Sequence, residues 1–223
     1  MFVERSILYG LTVCTCLLFF FVYHFNAKYE LQPILTLGLL NASLGAISDL
    51  LAQALDSYKS MEFQKKRDIT LEKYGNSILL PARTAKLDFH RTIRYAAYGL
   101  CFTPIQYHWF ASLKNLVQGE NEFFCNLFRV AIDQLLFAPL GLGFFFFFMG
   151  ITECKSADKI KAFFKKNYVP TLKANYILWP AAQFINFTFI PFVFQVLFVN
   201  AIAMIWTSYL SLKNSSSNVS LHD

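Results

Sequence analysis

The chain has 223 residues, 56% of them hydrophobic and only 15% charged, and its mean hydropathy is +0.40. Soluble domains carry roughly a quarter charged residues, so this composition excludes a separate soluble domain and predicts an all-α, multi-pass transmembrane helical bundle. The net charge of +6 invites a nucleic-acid reading, but the positions of the charges favour membrane topology instead.

Residues 7–25 are an apolar run preceded only by Glu4 and Arg5. The run is too apolar for a mitochondrial transit peptide and lacks a small-x-small cleavage site. It reads as an extra, uncleaved first span over residues 1–25, with a cleaved signal peptide as the alternative. A short connection over 26–33 leads to a second apolar segment, 34–55. There Gly38, Asn41, Ala42, Gly45, Asp49 and Gln53 share one helical face. Small residues on that face let a neighbouring backbone approach closely. Asp49 near the end of a span is either functional or an interfacial helix-end carboxylate. Residues 56–91, with Lys65, Lys66 and Arg67 in a row, are predicted to be a polar loop inserted between spans.

The third segment covers residues 94–113. Arg91, Arg94, Tyr98, Cys101, Ile105 and His108 form one stripe, and Pro104 kinks or breaks the helix. His108 beside Trp109 is either a proton-responsive group or an interfacial anchor. A polar connection over 114–126 precedes the fourth segment, 127–151. Arg129 and Asp133 are four apart and are expected to pair on the helix itself. The run Phe144 to Phe148 is expected to face lipid, and Gly141, Gly143 and Gly150 allow close helix contacts.

Residues 153–173 are predicted to be a second basic loop. Then comes the stretch around which the chain is organised, residues 174–211, which holds no charged side chain. Tyr176, Trp179, Gln183, Asn186 and Ile190 follow helical steps of three and four. Asn175, Gln183, Asn186, Gln195 and Asn200 each need a partner in hydrocarbon, where an unpaired amide costs on the order of several kcal/mol. The stretch makes either two spans broken near Pro191 or one kinked span plus an interfacial helix. The Ser-rich tail, 213–223, reads as disordered, with N-x-S sequons at Asn214 and Asn218.

If the middle three segments each cross once, loops 56–92 and 152–173 emerge on one side. With Arg94 they hold 15 of the 20 Lys and Arg, a positive-inside asymmetry that faces cytosol or matrix. Five scattered Cys suggest neither a disulfide framework nor a zinc site. No phosphate loop, nucleophile elbow or HExxH helix occurs, and no enzyme activity is expected. A membrane hydrolase built on Asp49, Asp133 and His108 is the weaker reading.

Five pieces in order carry a family resemblance. They are Pro33 and Thr36 ahead of Ser48-Asp49 and Gln53; Arg91-Thr-Ile-Arg94 with Gly99, Pro104, His108-Trp109-Phe110 and Leu113; and Asp133-Gln134 with Pro139. Asn175-Tyr176, Trp179-Pro180, Gln183, Asn186-Phe187 and Pro191 form the fourth, and Trp206, Ser208, Tyr209, Leu210 and Ser211 the fifth. The sequence resembles the family of Mpv-17 and the 22-kDa peroxisomal membrane protein over residues 26–212. It departs where the family has Gly (Ser48, Thr103) and Arg (Gln195).

The resemblance implies four family spans in an organelle membrane: the mitochondrial inner membrane first, the vacuolar or peroxisomal membrane as alternatives. It also implies pore or channel activity towards small solutes in organelle homeostasis. The candidate pore-lining or interhelical polar residues are Asp49, Gln53, Arg94, His108, Asp133, Gln134, Trp179, Gln183 and Asn186. Two functions stay open: a small-solute pore lined by these residues, or a non-transporting scaffold or assembly factor in which they are interhelical glue. The expected partners are the lipid bilayer, small solutes and a second copy of the chain. No cofactor and no nucleic acid are expected.

Overall fold

The computed structural model describes residues 7–13, 15–16, 29–73, 87–153 and 156–219. All regular structure among them is helical. Residues 7–13 and 15–16, within the run read as a first span, are helical, and Gly10 lies against Leu50; residues 14 and 17–25 of that run lie outside the described residues. The long helices are α1 (Pro33–Lys73), α2 (Phe89–Leu116), α3 (Glu122–Ile132), a π-turn (Asp133–Phe137), α4 (Ala138–Thr152), α5 (Ala157–Phe189) and α6 (Phe192–Val219). Among the described residues two stretches are long and apolar enough to cross a membrane, Pro33–Gln64 and Glu122–Thr152, and Phe192–Trp206 is a shorter apolar helix.

Local chemistry sets the boundaries. Pro33 opens α1, where a missing N–H costs nothing. Asp88 caps α2 by accepting from the Arg91 amide at 2.9 Å. Asn121 caps α3 in the same way at Phe123. Arg129 holds the short connection before that cap, donating to the Val117 carbonyl at 2.8 Å and the Asn126 side chain at 2.6 Å. Ile190 and Pro191 separate α5 from α6, at the place where the sequence put the break. Gln195 spans that break, donating to the carbonyls of Ile190 (3.2 Å) and Asn186 (3.4 Å).

α1 packs against α2 and α6, and α5 packs against α3 and α4. The core between them is Leu37, Leu40, Phe110, Leu113, Val130, Phe187, Val196 and Val199. The α1–α2 seam is very tight. A methyl on Gly99 would sit 2.5 Å from the Asn41 carbonyl oxygen, and one on Gly45 would sit 2.6 Å from that of Tyr95. The small-residue stripe of α1 thus brings two backbones together, as expected.

Several expectations change. The polar loop over 56–91 is helical as far as Lys73, because no Gly or Pro interrupts it before Gly75; residues 74–86 lie outside the described residues. The basic loop over 153–173 is mostly the first half of α5. Ile160, Phe163, Phe164 and Tyr168 recur at helical spacing and give that half a face to lay on α4. The tail read as disordered continues α6 to Val219, again with no Gly or Pro to stop it. Of the Phe144–Phe148 run only Phe147 is strongly exposed. Phe144, Phe145 and Phe148 pack their rings on Tyr98, and Phe146 packs on Phe163 and Phe164. Cys14 and Cys154 lie outside the described residues.

Candidate functional site

Asp133 is the centre of the site. It is 1% exposed and sits at the start of the π-turn. Pro139 explains the turn: its ring would collide with the carbonyl of residue 135 in a regular helix, and it has no N–H to donate. The chain inserts one residue instead, and the Ala138 amide bonds to the Asp133 carbonyl. That phase leaves the Gln134 carbonyl facing the proline nitrogen. The Tyr176 hydroxyl supplies the missing donor at 3.1 Å.

Three side chains donate to the Asp133 carboxylate. Trp109 Nε1 reaches Oδ1 at 2.9 Å; Gln183 Nε2 and Gln134 Nε2 reach Oδ2 at 2.9 and 2.8 Å. Asn186 donates to Gln183 Oε1 at 3.0 Å and is itself 0% exposed. Three elements therefore converge on one carboxylate: α2 through Trp109, the π-turn through Gln134, and α5 through Gln183. Among the described residues no cation sits against it. Arg129, expected to pair with Asp133, turns instead to Glu122 at 3.4 Å, Asn126 and Val117, because one indole and two amide groups already occupy the carboxylate. Gln134 Oε1 and Asn186 Oδ1 are buried with no hydrogen-bond partner, so this network keeps unused acceptors.

Asp49 and Gln53 form a second, separate cluster at the start of α2. Arg91 Nε lies 2.6 Å from Asp49 Oδ1, and Thr92 donates to Asp49 Oδ2 at 2.7 Å. The Gln53 amide clamps the backbone of Asp88, accepting from its N–H at 2.8 Å and donating to its carbonyl at 3.1 Å. The helix-end carboxylate is therefore an interhelical ion pair, and it is fully buried. Arg94 joins α2 to the end of α4 through Glu153 at 3.3 Å. Arg91 and Glu153 rim a cleft of about 290 Å³ walled by Tyr95, Phe146, Met149 and Phe163.

Not every candidate joins these clusters. His108 is exposed and touches the Tyr107 ring, away from Asp133. Trp179 packs half-buried on the apolar core. The sequence reading missed Trp109 and Tyr176 as partners of the Asp133 site, and Arg91 as the partner of Asp49. A signal for Trp109 existed: a buried indole N–H needs an acceptor, and Asp133 is an acidic residue in a candidate span. Gln106 and Asn200, bonded at 3.0 Å, and Asn41 with Thr103, at 2.7 Å, tie further helices together. Among the described residues no group of three or more His, Cys, Asp or Glu could hold a metal ion.

One substitution tests the network. Trp109→Phe keeps the stacking on Phe137, whose ring lies 4.9 Å away, and removes only the N–H. Loss of a bond to a charged, buried acceptor should cost about 1.5–3 kcal/mol of stability. Thermal unfolding in detergent reads it, and a change below about 0.5 kcal/mol would mean the carboxylate does not depend on the indole.

Comparison with known proteins places these residues in context. The family model described as Mpv17 / PMP22 family matches residues 150–211. An uncharacterized protein of Schizosaccharomyces pombe is 67% identical over 98% of this chain and 99% of its own length. Protein sym1 of the same organism is 35% identical, covering 88% and 92% of the two chains. Peroxisomal membrane protein 2 of Bos taurus is 31% identical, covering 82% and 83%. No solved structure matches.

Proposed function

The chain belongs to the Mpv17 / PMP22 family, and from that premise we propose that it is an integral organelle-membrane protein that passes small solutes along the polar face of Asp133, Gln134, Gln183 and Asn186. The observation that carries this reading is a carboxylate within a candidate span, at a π-turn, with no cation among the described residues against it. Intramembrane carboxylates are costly and mark solute or proton paths, and π-turns recur at functional sites. Interhelical adhesion alone would be served as well by an amide. The relative named peroxisomal membrane protein 2 supports an organelle membrane. The family resemblance favours the mitochondrial inner membrane, with the peroxisomal membrane as the alternative.

A second reading, a non-transporting membrane scaffold, is favoured by one observation. Asp133 and Asn186 are both at most 1% exposed, so the network is closed in this conformation. Under the pore reading this is the shut state, and opening must separate Trp109 or Gln183 from Asp133.

Flux from liposomes carrying the purified chain separates the two readings. Asp133→Asn keeps the volume and an acceptor for Trp109 while removing the charge. A pore leaks small solutes above empty liposomes, and the mutation shifts its cation-to-anion preference by about twofold to tenfold. Tight liposomes holding correctly folded protein would leave the scaffold.

A further inference from the structure

The lysines of α5 lie at an unexpected depth. Contacts between α4 and α5 fix an antiparallel register: Asp133 meets Gln183 at 2.9 Å, the Pro139 carbonyl meets Tyr168 at 3.1 Å, and the Phe146 and Phe164 rings are 5.9 Å apart. Gly150 closes the series against Ile160. Lys165 and Lys166 fall between Phe164 and Tyr168, so they are level with the α4 residues between Pro139 and Phe146. With the end of α4 at Thr152 set at the edge of a hydrocarbon core of ~30 Å, Phe146 lies ~9 Å and Pro139 ~20 Å inside it at 1.5 Å per residue. The same level of α4 exposes Leu140, at 72%. Lys161, Lys165, Lys166 and Lys173 are all exposed and form no ion pair with a described residue.

A lysine can snorkel from near a helix end, but Lys165 and Lys166 are more than a turn too deep for that. Leu140 is suited to lipid; an ammonium group at the same depth is suited to water. We infer that the lysine face of α5 borders water within the membrane and forms the wall of a basic vestibule that concentrates small anions. Its four ammonium groups outnumber Asp133, the π-turn carboxylate that meets α5 farther along at Gln183, and Asp158 stands at the helix start, outside the deep part of the wall. The positive field of an aqueous recess raises the local concentration of anions, and rings of Lys select anions in pores. The ion preference assigned here rests on the pore reading; the wet face does not.

Two measurements on the full chain in liposomes keep these apart. In a version with its native cysteines replaced, Lys165→Cys and Leu140→Cys are treated with a membrane-impermeant, negatively charged maleimide. The inference expects Lys165→Cys to react about tenfold faster or more than Leu140→Cys, as water differs from lipid. Equal protection of both, with each reacting normally after solubilisation, overturns it. The second measurement is chloride against potassium flux in the chain carrying Lys161, Lys165, Lys166 and Lys173→Gln. A fall of about threefold or more in the chloride-to-potassium ratio supports the anion preference. An unchanged ratio overturns it while leaving the pore intact. No flux of either ion from the unsubstituted chain overturns the anion preference together with the pore reading, and the labelling result stands by itself.

Discussion

Gly99→Ala is expected to destabilise the bundle by about 3 kcal/mol, the upper end of the range for overpacked sites. The added methyl would lie 2.5 Å from the Asn41 carbonyl oxygen, 2.8 Å from its carbonyl carbon and 3.1 Å from the Ala42 nitrogen. All three atoms are backbone, so no side-chain rotation relieves the clash. α1 and α2 must separate, which also stretches the Asn41–Thr103 bond, 2.7 Å long. Gly141→Ala supplies the contrast. Its nearest new neighbour is Phe102 Cζ at 3.4 Å, an ordinary contact with a ring that can move. There the helix gains up to about 1 kcal/mol from losing a glycine. Thermal unfolding in detergent compares the two. If Gly99→Ala is as stable as Gly141→Ala, the α1–α2 seam is looser than its geometry implies.

Arg91→Ala should be the most damaging change of a charged residue, with a loss of about 3–5 kcal/mol. It strands Asp49, which is 0% exposed, with Thr92 and Gln53 as its remaining donors. Asp49→Asn should cost less, because Arg91 is about one-third exposed and can turn to water or to Asp56 at 3.9 Å. The double change Asp49→Asn with Arg91→Ala should recover much of what Arg91→Ala loses, since no unpaired charge remains. A double change as unstable as Arg91→Ala would show that the arginine acts through its packing on Tyr95, 5.9 Å from the ring centre, rather than through charge.

Much of this arrangement was legible in the sequence because hydrophobic periodicity and polar residues out of place both leave marks. Gly38, Gly45 and Asn41 on one face announced a close helix contact, and Gly45 and Gly99 deliver it. The steps from Tyr176 to Gln183 and Asn186 announced a polar face, which now meets Asp133. Pro191 announced the break between α5 and α6. Charge density misled where it was read as loop: the lysines of residues 157–173 sit on a helix because a charged face says nothing about the opposite, aromatic one. Partner choice was also hidden. Arg129 and Asp133 are correctly spaced to pair, yet each finds better geometry elsewhere, and spacing along one helix cannot foresee an indole arriving from another.

The π-turn has a consequence for what this chain can tolerate over time. Each residue of an α-helix advances the side-chain direction by about 100°. The additional residue between Asp133 and Phe137 therefore sets the rotational phase of everything downstream. In that phase, Phe144, Phe145 and Phe148 point at Tyr98, and Phe146 points at α5. Leu135 and Leu136 are 71% and 54% exposed and can be exchanged for other apolar residues with little effect on the bundle. Winding these same residues as regular α-helix would swing the aromatic face by about 100°, away from Tyr98, so the turn must keep its wide form to hold that face in place. At this point of the chain the form of the turn is held more tightly than the identity of its residues.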